Sequence, residues 1–151
     1  MSDLNTPDAV PDESYRFAGF WWRAAAILID VAILTVADGI VSGMLGPVLP
    51  AFTWLLVVVI NWTYFAQQEA SPYRATVGKR VCGLIVVDLE GRQISFARAT
   101  GRYFAKFLSG LLLNLGFVMA AFTERKQGLH DFMAGTLVLR KRPGPKGTDA
   151  I

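Results

Sequence analysis

The sequence predicts an α-helical integral membrane protein, and three observations carry that reading. Fifty residues without a lysine or arginine follow Arg23. The chain is 53% hydrophobic with a mean hydropathy of +0.39, and the apolar residues fall in blocks rather than in amphipathic alternation. Seven basic residues, Arg74, Lys79, Arg80, Arg92, Arg98, Arg102 and Lys106, then crowd one stretch. Blocks long enough to span a bilayer, set beside a basic segment, are the pattern of membrane helices with a cytoplasmic loop.

The first span is expected over residues 24–45. Its aromatic entry, Phe17, Phe20, Trp21 and Trp22, suits a membrane interface. About 20 residues at ~1.5 Å each cross a ~30 Å core. Gly46, Pro47 and Pro50 make a turn, and a second span is expected over 48–66. The basic residues that follow place their segment in the cytoplasm, and two spans return the N-terminus to that side, where Arg16 and Arg23 agree. Residues 1–15 form a polar, acidic tail expected to be disordered. They lack the basic and short apolar regions of a cleaved signal.

Residues 80–96 are expected to form a β-hairpin. Val81 to Val87 is rich in β-branched residues, and Asp88 to Arg92 supplies turn chemistry. A helix is expected from Phe96. Arg98, Arg102 and Lys106 stand four apart on it as one basic stripe, with Phe96, Ala99, Tyr103, Phe104 and Phe107 on the other faces. This predicts a helix in the headgroup region whose stripe meets anionic lipid. The third apolar block, residues 107–122, is short and holds Gly110, Asn114 and Gly116. It either re-enters or spans, and the side of the C-terminus depends on which. Thr136 to Arg140 reads as a short strand, and residues 142–151 as a flexible basic tail.

Asp30 is the residue that most needs a reason. A carboxylate at the centre of a membrane helix costs about 2.5–3.5 kcal/mol on insertion scales. It is expected to have either a packing partner or an ion-handling role. Arg23 lies seven residues earlier on nearly the same face, about 10 Å away along the axis. Asp131 follows a polar, basic loop and is expected at the depth of Arg23, so the two are expected to pair. Arg23, Asp30 and Asp131 would then form a polar track from the cytoplasm. Asp38 and His130 are secondary candidates. Asp38 lies toward the far interface, where water can solvate it, and His130 is the only histidine.

Other chemistry is excluded or unsupported. One cysteine, Cys82, allows no intrachain disulfide. No phosphate loop, nucleophile elbow, zinc-helix or dinucleotide motif is present. No enzymatic activity, cofactor, metal or nucleic-acid partner is expected. The expected partners are the bilayer, anionic lipids, and either further copies of the chain or another membrane protein.

Several segments together resemble the RDD family of bacterial membrane proteins, named for one arginine and two aspartates. They are Gly19-Phe20-Trp21-Trp22-Arg23 with Leu28-Ile29-Asp30, Ala75-Thr76-Val77-Gly78-Lys79-Arg80 with Gly83-Leu84, Gln127-Gly128-Leu129-His130-Asp131, and Ala134-Gly135-Thr136. The resemblance covers residues 16–141 as one membrane domain. It implies that Arg23, Asp30 and Asp131 are the name-giving residues. It also implies a multi-pass protein of the bacterial inner membrane with a transport-related role, and it supplies no substrate. Val77 stands where the family run has proline, which bears only on the local turn. Two functions follow as expectations: transport of a small cation or proton through the Asp/Arg residues within an assembly, or a non-transporting adaptor or scaffold that binds lipid or a partner protein.

Overall fold

A long helix, α1 (Phe20–Leu45), leads the fold and stops where Gly46 and Pro47 interrupt it. The second, α2 (Pro50–Glu69), starts on a proline in its first turn, where the missing N–H costs nothing. These two helices correspond to the two expected spans, α1 beginning four residues earlier and α2 running three residues further. Among the described residues, α1 is the one helix long and apolar enough to cross a membrane by length and composition. The computed structural model describes residues 14–111 and 121–142. The larger part of the third apolar block, residues 107–122, lies outside them, as do residues 1–13 and 143–151.

A short helix, α3 (Val77–Val81), follows, capped by Thr76, whose hydroxyl accepts from Lys79 N. Strand β2 (Leu84–Asp88) comes next, then α4 (Phe96–Leu111), α5 (Leu129–Ala134) and β3 (Thr136–Lys141). A strand precedes all of them, β1 (Tyr15–Phe17). Gly135, at φ 60°, closes α5 and turns the chain directly into β3.

The three strands form one antiparallel sheet in the order β1-β3-β2. Val86 stands opposite Val138, and Phe17 opposite Leu139. Leu84, Val86 and Val138 face the helices with Ala18, Ala26, Ala66 and Ala99. Val87, Leu137 and Leu139 pack on the other face with Tyr15, Phe17 and Ile85. β3 thus joins β1 to β2, and the sheet packs on the start of α1 and the end of α2 through Ala26 and Ala66.

Two expectations are corrected here. The hairpin over residues 80–96 does not form, because β2 pairs with β3 and not with the residues after its turn. Asp88 takes that turn over: its Oδ1 accepts from Glu90 N and Arg92 N at 3.0 and 2.8 Å. The chain then runs on toward α4, and Ile94 is buried in the core instead of lying in a strand. The disordered tail expected over residues 1–15 also ends too late, since Tyr15 is already paired with Lys141.

Helix α3 lies in close contact with α1 at Gly78. A Cβ on Gly78 would stand 2.1 Å from Ala26 O and 2.9 Å from the Asp30 carboxylate. Only glycine lets the two backbones approach this closely. Gly78→Ala is expected to destabilise the protein by at least roughly 1–3 kcal/mol, the usual cost of overpacking. Thermal unfolding in detergent measures it, and an unchanged midpoint would contradict the packing.

Candidate functional site

A chain of buried charges crosses the junction of the helices and the sheet. Arg102, on α4, is 1% exposed. Its Nε donates to Glu69 Oε2 at 2.9 Å, and its Nη1 donates to Asp131 Oδ1 and to Thr136 Oγ1. Asp131, at the start of α5, receives Arg23 Nη1 on its other oxygen and Gly128 N at 3.1 Å. Arg23 is used to the full. It also donates to Ala18 O at 3.2 Å and to Lys126 O at 2.6 Å. Glu69, at the end of α2, pairs with Lys79 of α3, and Lys106 Nζ lies 3.6 Å from it. Two carboxylates thus hold four cations that come from α1, α3 and α4.

The electrostatics follow from burial and contact. Burial alone would raise the Asp131 carboxyl, but the Arg102 and Arg23 guanidiniums outweigh it and hold the group well below the carboxylate range. Burial pushes the Lys79 amine down to about 7, against the pull of Glu69. Burial likewise pushes His130 down to about 3, so it is neutral at physiological pH although its Nε2 lies 3.4 Å from Asp131. No group of three or more His, Cys, Asp or Glu suited to a metal occurs among the described residues.

Asp30 belongs to a separate cluster. It is fully buried and accepts from Tyr64 Oη at 2.7 Å, Thr76 Oγ1 at 2.5 Å and Gly78 N at 2.8 Å. Two of these donors open α3, so the carboxylate anchors the first turn of that helix against α1 and α2. Asp38 is half-buried and receives the Asn61 amide on both oxygens, a second tie between α1 and α2.

The expected Arg23–Asp131 pair is present. Asp30 does not continue it as one track, because its partners are Tyr64, Thr76 and Gly78. The basic stripe of α4 is corrected. Arg102 is buried, Lys106 leans on Glu69 and over the Phe65 ring, and Arg98 reaches to 3.7 Å from Asp88. Arg102 and Lys106 face protein carboxylates while Arg98 stays exposed, and the helix turns its phenylalanines outward. Glu69, Lys79, Tyr64 and Thr76 were not singled out from sequence. In the sequence Glu69 is a lone acid at the close of an apolar helix, and only the long-range fold gives it three basic neighbours, Lys79, Arg102 and Lys106.

The RDD family model matches residues 17–135. The chain belongs to the RDD family. It is similar to three proteins of Bacillus subtilis (strain 168). YxaI, an uncharacterized protein, is 34% identical, with 82% of this chain and 97% of YxaI covered. YckC, also uncharacterized, is 30% identical over 90% of this chain and 93% of its own. YteJ, an uncharacterized membrane protein, is 27% identical over 93% and 92%. No solved structure matches. In this RDD chain Arg23 and Asp131 join as a pair, and Asp30 latches α3.

Two outcomes are expected. Arg23→Ala or Asp131→Ala strands the partner charge and lowers stability by roughly 3–5 kcal/mol. In the double mutant the loss falls short of the sum by about 0.5–3 kcal/mol, measured as a double-mutant cycle by denaturation in detergent. The second outcome concerns pH. The unfolded amine of Lys79 titrates near 10.4, so between about 7 and 10 the unfolded chain holds the proton that the folded chain has released. The Lys79 contribution to stability is therefore least below pH 7 and grows as pH rises toward 10. Unfolding midpoints of Lys79→Met, measured beside wild type across that range, should lack this rise.

Proposed function

We propose that this RDD protein crosses the bacterial inner membrane twice, with α1 and α2, and keeps its N-terminus and mixed α/β cap in the cytoplasm. Its role on this reading is that of a scaffold or adaptor subunit within a larger membrane assembly. The observation that carries it is the state of Asp30. Three donors occupy its oxygens, and the Gly78 backbone seals the approach. A carboxylate that passes an ion must exchange partners, and here that means undoing the start of α3. The Arg23–Asp131–Arg102–Glu69 chain points the same way, since buried ion pairs of this kind fix one arrangement of elements better than they add stability. No enzymatic role is proposed.

One observation favours a transport-related role instead. Lys79 is buried against Glu69 and releases its proton near neutral pH. A group of that kind can exchange protons with the cytoplasm, as membrane proton relays do. Two spans do not enclose a pathway, so this reading also requires an assembly. Proteoliposomes loaded with a pH dye separate the two. The scaffold reading expects no ion-driven proton flux above empty vesicles from wild type. A flux that Asp30→Asn or Lys79→Met abolishes, in variants that remain folded, would establish transport and overturn the scaffold role. Membrane-impermeant thiol reagents test the topology in Cys82→Ser protein. A cysteine at Ser42 should react from outside the cell and one at Arg92 should not.

A further inference from the structure

We infer that α4 is an inside-out helix embedded at the cytoplasmic edge of the bilayer, its phenylalanine face against lipid acyl chains. Its Arg102 and Lys106 are turned into the protein. This rests on the reading that α1 and α2 lie in the membrane.

The pattern on α4 is the reverse of that on a helix that floats on headgroups. Such a helix buries its apolar face and offers cations to phosphate. Here Arg102 and Lys106 point inward to Glu69 and Asp131, while Phe104 and Phe107 are 53% and 61% exposed, with Phe96 and Leu108 beside them also exposed. An exposed apolar face of this size is unfavourable in water and neutral in hydrocarbon.

Depth gives the second argument. Phe96 meets the Trp62 ring edge-on at 5.7 Å, and Trp62 Nε1 donates to Thr100 Oγ1. Tyr103 packs on Phe65. The first half of α4 is therefore level with Trp62 and Phe65 of α2. Trp62 stands twelve residues past Pro50, about 18 Å along the axis, inside a ~30 Å hydrocarbon core. Glu69 stands about 28 Å along, at the boundary. If the bilayer ended above α4, α2 would have too little apolar length left to cross. On α2 itself Trp54, Leu55 and Val59 are exposed, and Leu55 stands two turns before Trp62 on the same side of the helix. The occupant is thus hydrocarbon, and the buried charges form the seal between α4 and α2.

Nitroxide labels read the surroundings of each site. Phe104→Cys and Leu108→Cys are made separately in full-length Cys82→Ser protein, reconstituted in liposomes, with Val59→Cys as the reference on α2. Phe107→Cys replaces either one if it folds poorly. At 104 and 108 the collision rate with oxygen should exceed that with a water-soluble nickel chelate several-fold, as at 59. A reversed ratio at 104 and 108, with 59 still lipid-like, overturns the inference alone. Low collision with both reagents means that protein covers the face, and this also overturns it. A reversed ratio at 59 overturns the membrane reading beneath it.

Discussion

The contact on which the rest of this molecule depends is that of Arg102 with Glu69 and Asp131. One guanidinium joins the end of α2 to the start of α5, and through Thr136 Oγ1 it reaches the first residue of β3. Asp131 passes the link to Arg23 on α1, and Glu69 passes it to Lys79 on α3. Five helices and the sheet thus meet at two carboxylates. Arginine suits the central place because its fixed fork serves two acceptors at once and its charge survives burial. Lysine there would offer a single point charge and would tend to give up its proton, as Lys79 does one contact away.

Such a network is no simple gain in stability. Each ion loses its water, and the attraction at short range restores only part of that loss. What the network supplies is selectivity among arrangements. Any slip of α4 along α2 by one turn would strand Glu69 or Asp131 without its guanidinium, which costs far more than a slip between apolar faces. Apolar helices in lipid have little to choose between registers, because neighbouring side chains and acyl chains are alike in polarity. Buried charges are an effective way to fix register at such a boundary, and here they stand where α2 leaves the apolar part of the fold.

The Arg23–Asp131 pair was legible because depth alone narrows the choice: an arginine at the mouth of an apolar helix has few partners, and a carboxylate after a polar loop is one. The two long helices were legible from block length, and β3 from its run of Thr136 to Leu139. The hairpin was not, because local turn chemistry at Asp88–Arg92 says that the chain turns but not which strand it meets. The missing partner came from β3, some fifty residues away. The α4 stripe failed for a deeper reason. Periodicity separates the faces of a helix but does not say which faces inward. In water the apolar face is buried, and beside lipid the order inverts when the protein holds carboxylates to receive the cations. Glu69 is the signal that could have decided it, a lone acid at the end of an apolar helix just ahead of a basic segment.

The two clusters are separate in their hydrogen bonds but not in their mechanics. Helix α3 is one turn and a fraction long, and it takes part in both. Thr76 and Gly78 bind Asp30 at its start, while Lys79, the next residue, binds Glu69. A helix this short has no room to bend between the two contacts. Any change at Lys79 that moved its backbone would therefore press on the Gly78–Ala26 approach, which has no slack. The reverse holds as well, since loss of the Asp30 hydrogen bonds would free α3 to carry Lys79 away from Glu69. Asp30 thus reaches the Arg23–Asp131 pair through α3, Glu69 and Arg102, a path of contacts in place of a direct bond. Arg23, Asp30 and Asp131 act as one constraint because a rigid five-residue helix stands between them.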